Sequence, residues 1–212
     1  MAVIKIKICG ITNSKDALSC AELGADVLGF IFSKVSPRYI LPSKAKQIIK
    51  QLPPFIVKVG VFVDEKKEVV LKIGEELGLD VLQFHGKESF GFCNFFRPGF
   101  KVVKTFFPYE DKFLVNVEKY RVDACLFDVE WARKLKGEKR LKISMLKKLG
   151  KLDSKIRMII SGGLTPDNVN SVLKVITPYA LDVASGVESF PGKKDIDKVK
   201  SFIKNVKCYE DA

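Results

Sequence analysis

The sequence is poor in the residues that build metal and disulfide sites. Its 212 residues hold one histidine, one tryptophan and three methionines. A lone histidine, His85, excludes a metal centre made of several imidazoles. The five cysteines, Cys9, Cys20, Cys93, Cys125 and Cys208, are odd in number and contain no C-x-x-C pair. That spacing argues against a disulfide framework and against a zinc site, and thiols left reduced lead us to expect a cytoplasmic protein. No apolar run approaches the roughly 20 residues of a membrane span. The chain opens on a strand pattern, not on the charged and apolar layout of a secretory leader. Nucleotide-binding glycine fingerprints and a serine-histidine-acid set are also missing. There is no low-complexity stretch or linker, and residues 1–212 read as one domain.

The residues that are present have globular proportions, 47% hydrophobic and 29% charged. The net charge of +12 comes from 37 Lys and Arg against 25 Asp and Glu. The lysines are interleaved with acids on predicted helices, as in Lys66, Lys67 and Glu68. No basic and aromatic interleaving accompanies them, so solvated helix faces explain the charge and a nucleic-acid partner is not expected. Such a surface attracts anionic substrates.

The first strand organises the rest. In Val3-Ile4-Lys5-Ile6-Lys7-Ile8-Cys9-Gly10, isoleucines alternate with lysines at period two, and Cys9 falls on the lysine face just before Gly10 breaks the pattern. Further apolar runs follow at 26–32, 55–63, 80–84, 100–105, 124–128, 157–161 and 179–184. Helical patterns separate them. Asn13 or Ser14 is expected to cap the first helix, Ser43 the second and Thr165, followed by Pro166, a later one; Gly78 closes the third. A short helix is expected over 111–119. Eight strands alternating with about eight helices predict right-handed crossover units and a parallel α/β sheet closed into a small (β/α)8 barrel.

Chemistry in such a barrel sits at the C-terminal ends of the strands. Those ends offer Cys9, Arg38 in a Ser-Pro-Arg-Tyr loop, Asp64, His85, Asp128, Ser161-Gly162-Gly163 and Asp182 to Gly186. The glycines after the seventh and eighth strands allow backbone N–H groups to approach an anion, and together they point to a bound phosphate. Cys9 and Asp128, from the first and sixth strands, suit a base and an acid working on one small molecule. The remaining cysteines read as packing residues, and Trp131 as a cover over a site or an interface.

Seven ordered segments then carry a resemblance. Lys7-Ile8-Cys9-Gly10-Ile11-Thr12, Gly29-Phe30-Ile31-Phe32 with Ser36-Pro37-Arg38-Tyr39, Val59 to Val63, Leu82-Gln83-Phe84-His85-Gly86, Ser161-Gly162-Gly163-Leu164, Asn168-Val169 and Asp182-Val183 with Ser185-Gly186-Val187-Glu188 are similar to motifs of the phosphoribosylanthranilate isomerase family of tryptophan biosynthesis. The resemblance implies an Amadori rearrangement with Cys9 as general base and Asp128 as general acid. It implies that Arg38 holds the anthranilate carboxylate, that His85 and Asp182 line the pocket, and that Gly163, Ser185 and Gly186 contact the phosphate. The implied partner is a small phosphorylated substrate, with no cofactor or metal, no nucleic acid and no membrane, in a monomer or homodimer.

The loop after the sixth strand departs from the pattern. The family usually carries Gly-Gly-Thr-Gly-Lys there, whereas this chain has Lys136-Gly137-Glu138-Lys139-Arg140. The expectation is that basic side chains replace backbone amides. A barrel of this family that has lost the reaction is the alternative reading. Finally, Lys7 shares the inward face with Cys9, residues two apart on a strand lying about 6.5–7 Å from one another. A buried ammonium needs a partner. The closing strand makes Asp182 the expected one, and Lys7 the expected modulator of the thiol.

Overall fold

The structure is a computed structural model that describes residues 3–108, 117, 119–129, 140–152 and 156–210. Most of the helix expected at 111–119, Trp131, and residues 136–139 of the departing loop lie outside the described residues.

Eight parallel strands close into a barrel in chain order: β1 (Lys5–Cys9), β2 (Val27–Ile31), β3 (Val57–Phe62), β4 (Val81–Phe84), β5 (Lys101–Phe106), β6 (Ala124–Phe127), β7 (Met158–Ile160) and β8 (Ala180–Val183). Closure pairs β1 with both β2 and β8, and places Lys7 opposite Val27 on one side and Asp182 on the other. The described α-helices are α1 (Ser14–Glu22), α2 (Pro42–Ile49), α3 (Lys67–Leu77), α4 (Phe90–Phe96), α5 (Ile143–Leu149), α6 (Val169–Leu173) and α7 (Ile196–Glu210). The sequence reading missed a short hairpin between β8 and α7, made of β9 (Glu188–Phe190) and β10 (Lys193–Lys194).

The alternation of β1 sends its apolar side chains outward. Ile4, Ile6 and Ile8 join the main core with Phe30, Phe84 and Phe127, between the barrel and its helices. Phe30, Phe62, Phe84, Phe96, Phe127 and Phe202 are fully buried, and each stabilises the shell by about 1.5–3 kcal/mol. The barrel interior is filled by smaller clusters, Val103, Ala124, Leu126, Ile159 and Ala180 in one and Cys9, Val59 and Val61 in another. Lys7, Gln83, Asp128 and Asp182 are buried polar residues on the same strands. No described helix is long and apolar enough to cross a membrane.

Local signals account for most helix ends. Asn13 accepts from the Asp16 N–H and caps α1, and Gly78 ends α3 in the left-handed conformation, φ 56°. One expected cap fails. The second helix begins at Pro42, whose ring presets the helical φ, and Ser43 lies inside its first turn. Thr165 makes its expected capping bond: its Oγ1 accepts from the Asn168 N–H while Asn168 Oδ1 accepts from the Thr165 N–H, and 166–168 form the turn that leads into α6 at Val169. Cys20, Cys93 and Cys125 are buried as expected, whereas Cys208 is exposed.

Candidate active site

Cys9 is the last residue of β1, and glycines crowd it on both sides. A Cβ on Gly29 of β2 would lie 2.8 Å from the Cys9 sulfur, and one on Gly10 would lie 2.6 Å from Cδ of Arg38. Gly10 also needs φ +79° to turn the chain away from the strand. The Gly10 and Ile11 N–H groups both donate to the Gly29 carbonyl at 3.0 Å, which fixes the turn. The thiol is 6% exposed. Burial pushes it above the ordinary cysteine range; Lys7 opposes this, and Asp182 adds to it.

The expected partner of Lys7 is present. Its Nζ lies 2.8 Å from Asp182 Oδ1, with both side chains almost fully buried. A second buried ammonium reaches Cys9 from the hairpin. Lys194 Nζ donates to the Cys9 carbonyl at 2.6 Å and pairs with Glu188 Oε1 at 2.8 Å. Glu188 in turn clamps Arg38, accepting from Nε at 2.9 and 3.0 Å and from Nη2 at 2.6 Å. Arg38 is thus held over Gly10 beside Cys9, with its side chain 15% exposed. Sequence reading missed Lys194 and the role of Glu188; only the Val187-Glu188 step of the family-like motif pointed at this hairpin.

On the other side of the mouth, Asp128 follows β6 directly and is buried. Its Oδ1 accepts from the Val129 N–H at 2.5 Å, and a Cβ on Gly162 would come within 2.8 Å of the same oxygen. His85, just after β4, places Nε2 3.5 Å from Asp128 Oδ2. The His85 Nδ1 lies 3.2 Å from Gln83 Nε2 and 3.1 Å from Thr105 Oγ1. An amide nitrogen only donates, so these partners assign Nδ1 as acceptor and leave the ring hydrogen on Nε2, toward the carboxyl.

The glycine turns after β7 and β8 come together. Gly162 and Gly163 both have positive φ, 86° and 70°. Ser185-Gly186-Val187 forms a 3-10 turn, in which a Cβ on Gly186 would fall 1.8 Å from the Leu164 carbonyl oxygen. Asn168 Nδ2 donates to the Gly163 carbonyl at 2.8 Å and pins that turn. Arg140 and Lys142 line a cleft with Ser161, Gly162 and Gly163. Among the described residues no group of three or more His, Cys, Asp or Glu could hold a metal.

The family model for N-(5'-phosphoribosyl)anthranilate (PRA) isomerase matches residues 6–205. The chain is 42% identical over 205 residues to N-(5'-phosphoribosyl)anthranilate isomerase of Trichlorobacter lovleyi, covering 97% of this chain and 98% of that one. It is similar to a crystal structure of phosphoribosylanthranilate isomerase in complex with reduced 1-(o-carboxyphenylamino)-1-deoxyribulose 5-phosphate, with TM-score 0.86 and 39% identity over 97% of this chain and 100% of that one. A crystal structure described as monomers of the dimeric isomerase of Thermotoga maritima matches at TM-score 0.86 and 38% identity, with the same coverage.

Proposed function

The chain belongs to the phosphoribosylanthranilate isomerase family, and we propose that its barrel mouth converts N-(5-phosphoribosyl)anthranilate to 1-(2-carboxyphenylamino)-1-deoxyribulose 5-phosphate, in the cytoplasm, as a step of tryptophan biosynthesis. The placement of Cys9 and Asp128 at the ends of β1 and β6, with β7 and β8 between them in the closed order, carries this reading.

The step is an internal redox isomerisation. Asp128 gives a proton to the furanose ring oxygen. The C1–O bond breaks, its electron pair stays on that oxygen as the C4 hydroxyl, and the nitrogen lone pair closes a C1=N iminium. Cys9, as thiolate, removes the proton from C2. That C–H pair becomes the C1=C2 bond, and the iminium pair returns to nitrogen. Ketonisation of the enolamine releases the C2 hydroxyl proton and adds a proton at C1. C2 ends oxidised and C1 reduced, so no external oxidant or cofactor is needed.

The other residues hold the two ends of the substrate. Arg38, a planar fork donor, takes the anthranilate carboxylate. Gly163, Ser185 and Gly186 present backbone N–H groups to the phosphate, with Arg140 on the flanking cleft. His85 and Asp182 line the pocket between. The protein acts on this small molecule without nucleic acid or membrane, as a monomer or a homodimer; Phe55, 94% exposed ahead of β3, offers apolar surface to a second copy.

Turnover followed by loss of substrate fluorescence tests the assignment. Cys9→Ala and Asp128→Asn should each lower kcat by about 10²–10⁴-fold, the usual contribution of a positioned acid or base, with KM little changed. Turnover within tenfold of wild type in both variants would remove these residues from the reaction. No turnover by the wild type would leave a phosphate-binding barrel that has lost the chemistry.

A further inference from the structure

We propose that the Lys7 ammonium, fixed by Asp182 inside the barrel, is the positioning residue that offsets the cost of burial and brings the Cys9 thiolate within reach. The inference deepens the reading of Cys9 as base and rests on it.

The problem is set by burial. A base must lose its proton before it can take one from C2, and Cys9 sits among Gly29, Val59 and Val61, surroundings that favour the neutral thiol. Something must supply positive charge from within the barrel. Lys7 lies two residues earlier on the same inward face of β1, and it is among the most buried lysines of the chain. An unpaired ammonium there would be costly, and register supplies the answer, because Lys7 stands directly opposite Asp182 on β8. The 2.8 Å contact fixes the ammonium so that it favours a second anion, the sulfur, beside it.

Among the described residues the other charges facing the sulfur are few. Asp182 on β8 opposes thiolate formation, and Lys194 on β10 favours it while donating to the Cys9 carbonyl. Arg38 packs over Gly10 and has its charge matched by Glu188. The nearest residues of β2 and β3 are not ionisable. Lys7 favours the thiolate, and Asp182, held against the same ammonium at 2.8 Å, opposes it. One ion pair therefore acts on the thiol with two opposite signs.

The test exploits those signs. In a Cys208→Ser background the remaining cysteines, Cys20, Cys93 and Cys125, are each pushed up to about 12 by burial and stay protonated through the range measured. Thiolate absorbance near 240 nm, taken as the difference between proteins with and without Cys9, then titrates Cys9 alone. Lys7→Met should raise its midpoint by about one unit or more, Asp182→Asn should lower it, and Lys7→Met/Asp182→Asn should raise it by less than Lys7→Met. The acid limb of kcat/KM should move with the midpoint. A shift of the same sign in both single variants, or none in either, would overturn the proposal. If Lys7→Met alone does not fold, the other two variants still decide. The readout needs no turnover, so it stands apart from the kinetics of Cys9→Ala.

Discussion

Two buried lysine–glutamate pairs flank the barrel mouth, built alike and wired differently. On the β1 side Lys194 pairs with Glu188 at 2.8 Å; on the β4–β5 side Lys104 pairs with Glu88 at 3.1 Å, and all four side chains are 5% exposed or less. Both ammonium groups also donate to main-chain carbonyls, Lys194 to Cys9 and Ala184, Lys104 to Phe84, Gly86 and Thr105. The carboxylates differ. Glu88 accepts from the Asp64 and Gly86 N–H groups, so its charge is absorbed by backbone. Glu188 accepts from a side chain at the mouth, Arg38. One pair is a staple between loops. The other joins the residue proposed to grip the substrate carboxylate to the main chain of the proposed base. Identical chemistry takes on a functional role only where one partner faces the ligand.

The comparison breaks first at the lysines. Lys194→Met and Lys104→Met should each destabilise by about 3–5 kcal/mol in urea unfolding, the usual cost of stranding one half of a buried pair. Lys194→Met should lose about tenfold more kcat/KM than Lys104→Met, because the Cys9 carbonyl loses its donor. Equal losses of kcat/KM would mean the two pairs do the same work. The glutamates sharpen the contrast. Glu188→Gln should raise KM about tenfold by loosening Arg38, whereas Glu88→Gln should leave KM within about twofold and cost about 1–3 kcal/mol of stability. Initial-rate kinetics against substrate concentration separates these outcomes.

The acid limb of stability gives a smaller effect on the same axis. Burial pushes the Asp16 carboxyl up, but Lys193, the Lys194 N–H and Asn13 outweigh it and hold it below the usual carboxylate range. A depressed group contributes stability that is present above its unfolded value, 3.8, and lost as pH falls through its lower folded value. Asp16→Asn should therefore flatten the stability loss below about pH 4 and weaken the grip of α1 on the hairpin. Asp123, likewise held low beyond its burial by the Val102 N–H and Lys101, should give the same acid signature on the β5–β6 side. Denaturant midpoints measured from pH 5 to 2.5 check both. The least effect concerns thiols: brief alkylation at pH 8 should label Cys208 and leave Cys20, Cys93 and Cys125 untouched, as mass spectrometry of the peptides would show.

How far the sequence carried follows from the range of the forces involved. The Lys7–Asp182 pair was legible because strand alternation fixes the face and barrel closure fixes the neighbour. Cys9, His85 and Asp128 were legible for the same reason, each lying at or directly after the end of a strand. The hairpin was not, since two- and three-residue strands leave no measurable period and the Arg38–Glu188 contact spans 150 residues. Nothing in the fifth strand's pattern singled out Lys104; its place beneath the β4–α4 loop reveals it as buried. Ser43 misled because Pro42, one residue earlier, starts the helix without a side-chain cap.

The hydrogen bond from Lys194 to the Cys9 carbonyl spans 185 residues. During translation the thiol leaves the ribosome 185 residues ahead of its ammonium clip. A nascent chain thus carries that sulfur through the synthesis of those 185 residues without the hydrogen bond to its carbonyl. Assembly of this rim waits on the hairpin's emergence, and a fragment truncated before it would lack the Glu188 carboxylate that clamps Arg38.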